Sequence, residues 1–195
     1  LAARKEAYDK FDTLLCTGPH QVKEVRQAEK IYNLPTKNLV ECGYPLLDEE
    51  IEAFSELTSG NDKPTILIAP SWQEDCILDS CLDDMLKSML GRGWKIIVRP
   101  HPEYTKRYGA RWKALQANYE NVSEDELYFE KDFSSNKTIF SSDILITDWS
   151  SVSAEFAFST CKPVVFMDTK MKVSNPNWKD LGIEPVDITL RNEIG

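Results

Sequence analysis

The chain has 195 residues, of which 42% are hydrophobic and 28% charged, and a formal net charge of −9. This is the profile of an ordinary globular protein, and its acidity disfavours nucleic acid as a partner, because binding it requires many Lys and Arg side chains on phosphates. A small anionic ligand is still possible, since a pocket can be locally positive on an acidic protein. No apolar run approaches the roughly 18–20 residues that span a bilayer, and residues 1–10 lack the apolar core of a signal peptide.

The first part of the chain has two strand-like segments, residues 12–17 and 38–43, with a polar helix predicted between them at His20–Tyr32. An amphipathic helix follows the segment "GYPLLDEEI" (43–51). The polar stretch "TSGNDKP" (58–64) is typical of a domain boundary. We therefore predict two parts. Residues 1–58 are the tail of an N-terminal domain with the interdomain crossover, and residues 59–195 are a second domain.

The second part alternates short apolar runs with amphipathic stretches. Strands buried on both faces are predicted at four runs, namely 65–69, 94–99, 143–147 and 163–168, and residues 126–131 alternate as a strand nearer an edge would. Helices are predicted at Ile77–Gly91, Tyr104–Tyr119, Ser134–Ser141 and Ser151–Ser159. This alternation predicts an α/β fold with a Rossmann-like parallel sheet flanked by helices, whose ligands lie at the carboxyl ends of the strands.

The five cysteines are odd in number and form no C-x-x-C pair, which favours a reduced cytoplasmic protein and argues against a cysteine-bound metal. The sequence does not begin with Met, and its last residues, "RNEIG", do not resemble a finished terminus. We therefore expect a piece of a longer chain.

Polar residues stand at two of the predicted strand ends. Ser71, in "APSW", is either part of a turn and helix cap or a ligand contact. In "VRPHPE" (98–103), two prolines stiffen the turn and aim the imidazole of His101. Arg99 offers a planar fork of donors that suits phosphate. We therefore assign a functional role to Arg99 and His101.

A third strand end is the stretch "ILITDWSSVSAEF" (144–156). Ser150 or Ser151 is a natural N-cap of the following helix, whose N-terminus is also a ready anion site. Capping and phosphate binding use different donors and can coexist. Glu155 lies one turn along the same helix face, at about the offset of a ribose diol from a diphosphate. Asp148 is either a turn former or a ligand or metal contact.

These motifs together resemble a known family. The stretches "ILIAPSW", "RPHPE", "DILITDWSSVSAEFAF" and "KPVVFMDT" are similar, in that order, to the C-terminal domain of CDP-glycerol glycerophosphotransferases, which build teichoic acids and related capsular polymers. The upstream "GYPLLDE" resembles the crossover between the domains of that family and of other GT-B enzymes. The resemblance covers about residues 12–195 and implies the C-terminal half of a GT-B-type enzyme.

The resemblance also implies roles for the site residues. Arg99 and His101 would act in catalysis, holding the donor pyrophosphate and stabilising the departing nucleotide. Ser150 and Ser151 would bind phosphate and Glu155 the ribose; we count Ser71 and Asp148 as further donor contacts. The catalytic base of the family, a His of the N-terminal domain, has no candidate here, and His20 is not assigned that role.

The reaction implied is transfer of a polyol phosphate from CDP-glycerol or CDP-ribitol to a polymer on a lipid carrier, with release of CMP, without a cofactor or an essential metal. The full-length enzyme would be cytoplasmic and peripheral at the inner face of the plasma membrane, attached through other parts of the chain. The present residues alone are expected to be inactive. Alternatives are a GT-B glycosyltransferase or nucleotide-sugar 2-epimerase using a UDP-sugar, and a non-catalytic nucleotide-binding module.

Overall fold

A computed structural model of the chain describes residues 4–56 and 62–195. It contains two compact units. The first unit comprises Leu1–Glu49 and Lys172–Glu193, and the second comprises Glu50–Met171 and Ile194–Gly195. The linker predicted at 58–64 lies partly outside the described residues. The predicted division after residue 58 therefore stays a prediction.

The first unit contains a two-stranded parallel sheet. The N-terminal elements of this unit are β1 (Thr13–Cys16), α1 (Pro19–Tyr32), β2 (Asn38–Glu41) and the first part of α2 (Pro45–Ser55). Helix α1 begins at a proline, whose fixed φ suits the first helical turn, and ends at Asn33 in the left-handed conformation. The predicted strands and helices of this region are thus present.

The second unit is built on a five-stranded parallel sheet with the strand order β5-β4-β3-β6-β7. Its elements are β3 (Thr65–Ile68), α3 (Ile77–Ser80), α4 (Leu82–Met89), β4 (Lys95–Val98), α5 (Pro102–Arg107), α6 (Gly109–Ala117), β5 (Leu127–Phe129), α7 (Lys137–Ser141), β6 (Ile144–Thr147), α8 (Val152–Thr160) and β7 (Val164–Phe166). The parallel sheet flanked by helices is confirmed, and Leu127–Phe129, within the predicted range 126–131, form an edge strand.

Alternate residues of the central strands pack on opposite faces of the sheet. Ile66 and Ile68 of β3 belong to one buried cluster, together with helices α3 and α4 and Trp112. Leu67, between them, belongs to a second cluster with Phe140 of α7 and Phe156 of α8. The strands therefore read as continuous apolar runs because both of their faces are covered.

The prediction that residues 163–168 form a strand buried on both faces is wrong. Only Val164–Phe166 are a strand, and Val165 is 45% exposed. The reason is position: β7 is the last strand of the sheet, so its apolar run covers one face only.

The sequence reading also missed two C-terminal elements, the 3-10 helix Trp178–Leu181 and helix α9 (Val186–Ile194). The β-branched Val186, Ile188 and Thr189 in α9 lower its helix propensity, which hides the helix from pattern reasoning. In the part of the chain that the structure describes, no helix is both long and apolar enough to cross a bilayer.

We expect Leu67→Ala to lower the free energy of unfolding by about 2–5 kcal/mol, because the side chain is fully buried in the central strand and its removal leaves a cavity. The matched control is Val165→Ala in the edge strand, which should change it by less than about 1 kcal/mol. Urea unfolding measures both. Equal losses in the two variants would contradict the assignment of β3 to the centre of the core.

Candidate functional site

The strand order of the second unit reverses between β3 and β6. From β3 the chain adds β4 and then β5 on one side, and β6 and β7 on the other. In open parallel sheets the crevice outside the carboxyl ends of two such strands is where ligands bind. Ser71 follows β3 and Asp148 follows β6, so both lie at this reversal point. Arg99 and His101 follow the neighbouring strand β4.

Asp148 ties together the loops around the reversal point. It is 1% exposed. Its Oδ1 accepts hydrogen bonds from the backbone N–H groups of Ser71 (2.7 Å) and Trp149 (2.6 Å). Its Oδ2 accepts from the N–H of Ile77 (3.1 Å) and from Thr169 Oγ1 (3.4 Å). One carboxylate therefore joins the loops after β3, β6 and β7, and its predicted contact with a donor stays a prediction.

Ser71 has a buried hydroxyl that the fold does not use. The residue is 1% exposed, and its Oγ has no hydrogen-bond partner among the residues that the structure describes. It does not cap α3, whose N-cap residue is Cys76. A buried polar atom left unpaired costs about 1–3 kcal/mol and calls for an explanation, such as an absent ligand group. The capping alternative for Ser71 is thus not supported.

Helix α8 begins with unpaired donors. Ser151 is its N-cap residue, as predicted, but with φ −63° and ψ −19° its hydroxyl makes no capping hydrogen bond. The N–H groups of Ser150, Ser151 and Val152 have no acceptor within residues 4–56 and 62–195. These donors add to the positive end of the nine-residue helix dipole. The helix start can therefore bind an anion without giving up a cap.

The turn before α8 is fixed from its other side by Trp149. The indole Nε1 donates to the carbonyl of Thr169, at 3.2 Å, so the turn is held against the loop after β7. Glu155 follows in the first turn of α8 and is half-buried. The structure thus places Ser150, Ser151 and Glu155 on consecutive turns at one helix end.

Arg99 is held by the segment that runs from the end of β5 into α7. Its Nη1 donates to Thr138 Oγ1 (3.0 Å) and lies 3.5 Å from Glu130 Oε2, and its Nη2 donates to the carbonyl of Ser135 (3.1 Å). Its side chain is 11% exposed. Burial lowers the pKa of the guanidinium, and the charge of Glu130 counteracts this. Arg99 therefore already has protein acceptors, and its contact with a pyrophosphate stays a prediction.

His101 is the N-cap residue of α5, and its Nδ1 accepts a hydrogen bond from the backbone N–H of Glu103 at 3.1 Å. In the neutral ring the proton is therefore on Nε2, which makes that atom a donor. Pro102 at the first helical position holds the turn, as the sequence indicated. The geometry thus fixes both the tautomer and the direction of the imidazole.

Sequence reasoning missed two buried carboxylates near these residues. Glu130 is 4% exposed and accepts from Arg99 and from the N–H groups of Lys131 and Asp132. Its place at the carboxyl end of β5 was the available signal. Glu50 of α2 is 5% exposed and has no such signal, because α2 reads as an amphipathic surface helix. The described residues contain no group of three or more His, Cys, Asp or Glu side chains that could hold a metal.

The fold defines a Rossmann-like α/β protein with a candidate anion site at the strand reversal. The sequence matches the family "CDP-glycerol:poly(glycerophosphate) glycerophosphotransferase" over residues 2–173. The match includes all the predicted site residues and most of the chain. The chain belongs to this family.

The solved structures that resemble the chain include two of the wall teichoic acid polymerase TagF. One is a variant of the wall teichoic acid polymerase TagF, with a TM-score of 0.54 and 21% identity over 93% of this chain and 44% of that one. The other is the same variant after a 30 minute soak with CDPG, with a TM-score of 0.50 and 24% identity over 84% and 39%. The chain thus spans less than half the length of either. At these identities the likeness shows the fold, which confirms the predicted GT-B-type class. No curated protein matches the chain.

We expect Asp148→Asn to destabilise the protein by about 1–3 kcal/mol, because the amide replaces one acceptor oxygen with a donor that faces backbone N–H groups. The control is Asp125→Asn, an exposed turn residue, which should leave the free energy of unfolding within about 0.5 kcal/mol. Urea unfolding of both variants is the measurement. A neutral result for Asp148→Asn would mean that the carboxylate does not hold the loops.

Proposed function

We propose that the chain binds a CDP-linked polyol, CDP-glycerol or CDP-ribitol, and forms the donor site of an enzyme that transfers the polyol phosphate to a growing teichoic acid or capsular polymer with release of CMP. The observation that carries the proposal is the open N-terminus of α8 at the strand reversal, with unpaired N–H groups and uncommitted serine hydroxyls. Membership of the family supports the choice of donor.

In this proposal the α8 turn binds the diphosphate. The N–H groups of Ser150, Ser151 and Val152 would donate to phosphate oxygens, and the hydroxyls of the two serines would add two further donors. The orphan hydroxyl of Ser71, next to the same turn through Asp148, would donate to the same group. Glu155, one turn further on, would accept from the ribose hydroxyls.

The chemistry is a displacement at the β-phosphorus. An acceptor hydroxyl would give its proton to the general base that the family resemblance places in the N-terminal domain, and its oxygen would attack that atom. The bond to the oxygen bridging the two phosphates would break, and CMP would leave with the electron pair of that bond. His101, whose Nε2 carries the proton in the neutral ring, would donate to the departing phosphate. Arg99 would act mainly through its positive charge, because protein acceptors already hold its Nη atoms.

The acceptor and the location of the full-length protein are also part of the proposal. We expect a polymer on a lipid carrier as the acceptor and peripheral attachment at the inner membrane face through segments other than those described here. The family description, which names a poly(glycerophosphate), supports a polymer acceptor.

Calorimetric titration with CDP-glycerol, CDP-ribitol, UDP-GlcNAc and CTP tests the proposal. We expect a CDP-polyol to bind most tightly, because it alone supplies both the cytidine and the polyol ends. Preference for UDP-GlcNAc would favour the glycosyltransferase or epimerase alternative. Absence of binding by any of the four at millimolar concentration would favour a non-catalytic module.

The double variant Ser150→Ala, Ser151→Ala should bind CDP-glycerol about 10–100-fold more weakly, because it loses two hydroxyl donors to a charged group. The fold should be unaffected, since neither hydroxyl makes a capping bond. The control is Ser88→Ala in α4, near the opposite ends of the strands, which should bind as the unaltered protein does. Unchanged affinity in the double variant would remove α8 from the donor site.

A further inference from the structure

The segment "KRYGARWK" (106–113) has four basic residues and no acidic one, in a chain whose net charge is −9. It covers the end of α5 and the start of α6, and all four of its basic side chains are exposed. The proposed donor contacts include none of these residues. The basic segment is therefore a feature of the second unit that the donor site does not explain.

Two arginines of the basic segment lie against aromatic rings. Arg107 Cζ is 4.9 Å from the centroid of the Trp72 ring, and Arg111 Cζ is 5.0 Å from that of the Tyr108 ring. Both rings are partly buried and pack against the core cluster on one face of the sheet. A guanidinium stacked on an anchored ring is oriented before any ligand binds. We call Arg107 and Arg111 the arginine pair.

The arginine pair has hydrogen-bond donors that the protein does not use. Arg107 Nε donates to Glu103 Oε2 at 3.0 Å, and its Nη1 and Nη2 make no hydrogen bond with the residues that the structure describes. Among the same residues, Arg111 has two long ion pairs, 3.7 Å to Asp79 Oδ1 and 4.0 Å to Glu74 Oε1. The two side chains are 55% and 56% exposed. Ion pairs at such exposed positions are weak, so an incoming anion can reach both guanidinium groups.

The arginine pair lies beside the strand reversal. Trp72, on which Arg107 stacks, is next in sequence to Ser71 in the loop after β3. Glu103 connects Arg107 to the loop after β4, because its N–H donates to His101 Nδ1. His101 and Arg107 are six residues apart on α5, which is about 9 Å along the helix axis. The pair is therefore near the residue proposed to face the departing phosphate.

Two guanidinium groups at fixed positions suit a ligand with repeated phosphates. Each can hold one phosphate through two parallel N–H···O hydrogen bonds. The two phosphates of the donor share one bridging oxygen, and the α8 turn is proposed to bind both of them. A phosphodiester polymer instead has an alcohol unit between neighbouring phosphates. It can therefore contact separate cations while its terminal hydroxyl lies at the reacting phosphorus.

We propose that the arginine pair binds the phosphodiester chain of the acceptor polymer and thereby directs its terminal hydroxyl toward the donor. The inference rests on the proposed function, which supplies the polymer acceptor. An anionic membrane surface is the other polyanion that basic side chains attract. The structure describes every residue of α5 and α6, and none is a large exposed hydrophobic residue of the kind that anchors a helix in a bilayer interface. The observations therefore favour the polymer.

The test measures the binding of a soluble glycerol phosphate oligomer to the full-length protein by calorimetry at several salt concentrations. In the double variant Arg107→Gln, Arg111→Gln the affinity should fall about 10-fold and depend less on salt, because two charged contacts with phosphates are lost. The double variant Arg107→Lys, Arg111→Lys keeps the charges but not the planar groups, so it should recover part of the lost affinity. The affinity for CDP-glycerol should stay within about 2-fold in both variants.

The matched control is the double variant Lys63→Gln, Arg92→Gln. It removes the same charge from exposed side chains at the opposite ends of the strands, just before β3 and β4, and should keep the affinity for the oligomer. An equal loss in this control, or no loss in Arg107→Gln, Arg111→Gln, would overturn the inference. Equal affinity of the unaltered protein for the oligomer and for glycerol 3-phosphate, which has a single phosphate, would do so as well.

Two further titrations separate the alternatives. Binding to phosphatidylglycerol vesicles that the arginine pair supports, without binding of the oligomer, would assign the basic segment to a membrane and overturn the inference. If CDP-glycerol binds but the oligomer does not depend on the arginine pair, the inference fails and the proposed donor site stands. If CDP-glycerol does not bind but the oligomer binds through the arginine pair, the polymer contact stands and the proposed donor site fails.

Discussion

The hydrogen bonds accepted by the Asp148 carboxylate are the constraint on which the site depends. A parallel sheet delivers several loops to one edge but does not fix their positions relative to one another. Asp148 does so by accepting from the backbone of the loops after β3 and β6 and from the Thr169 hydroxyl after β7. These hydrogen bonds hold the orphan hydroxyl of Ser71 and the open donors of α8 in their relative positions.

An anion site on an acidic chain of net charge −9 is physically reasonable because the proposed site uses few cationic side chains. The donors at α8 are backbone N–H groups and hydroxyls, whose partial charges are fixed in direction. The guanidinium of Arg99, at the end of the neighbouring strand β4, is balanced by Glu130. Such a site would favour a ligand of defined shape over anions in general, because its donors have fixed directions and cannot reorient toward a phosphate bound in another position.

Most of the fold was predictable, and the site was predictable in part. The strands are recognisable in the sequence because burial on both faces requires continuous apolar runs. The polar strand ends "RPHP" and "TDWSS" are recognisable because they interrupt these apolar runs. The partners of Arg99 and Asp148 were not predictable, since they come from loops up to 77 residues away in sequence. The burial of Glu50 was not predictable for a related reason. A Glu on an amphipathic helix is expected to face solvent, and only the tertiary structure, in which the neighbouring Phe54 packs against a buried cluster, shows that Glu50 is buried.

The α8 turn has no glycine, and none of the described residues with positive φ lies in it. Turns that bind phosphate through backbone N–H groups usually contain glycine. Glycine loses more conformational entropy than any other residue when the chain becomes ordered. Here residues 148–151 carry side chains that already restrict the unfolded chain, and Trp149 anchors the turn to Thr169. The turn is therefore held in place by contacts within the protein. In the proposed donor site, association should resemble rigid docking, with little entropy lost in the loop, and differences in affinity between nucleotides should appear mainly in their dissociation rates.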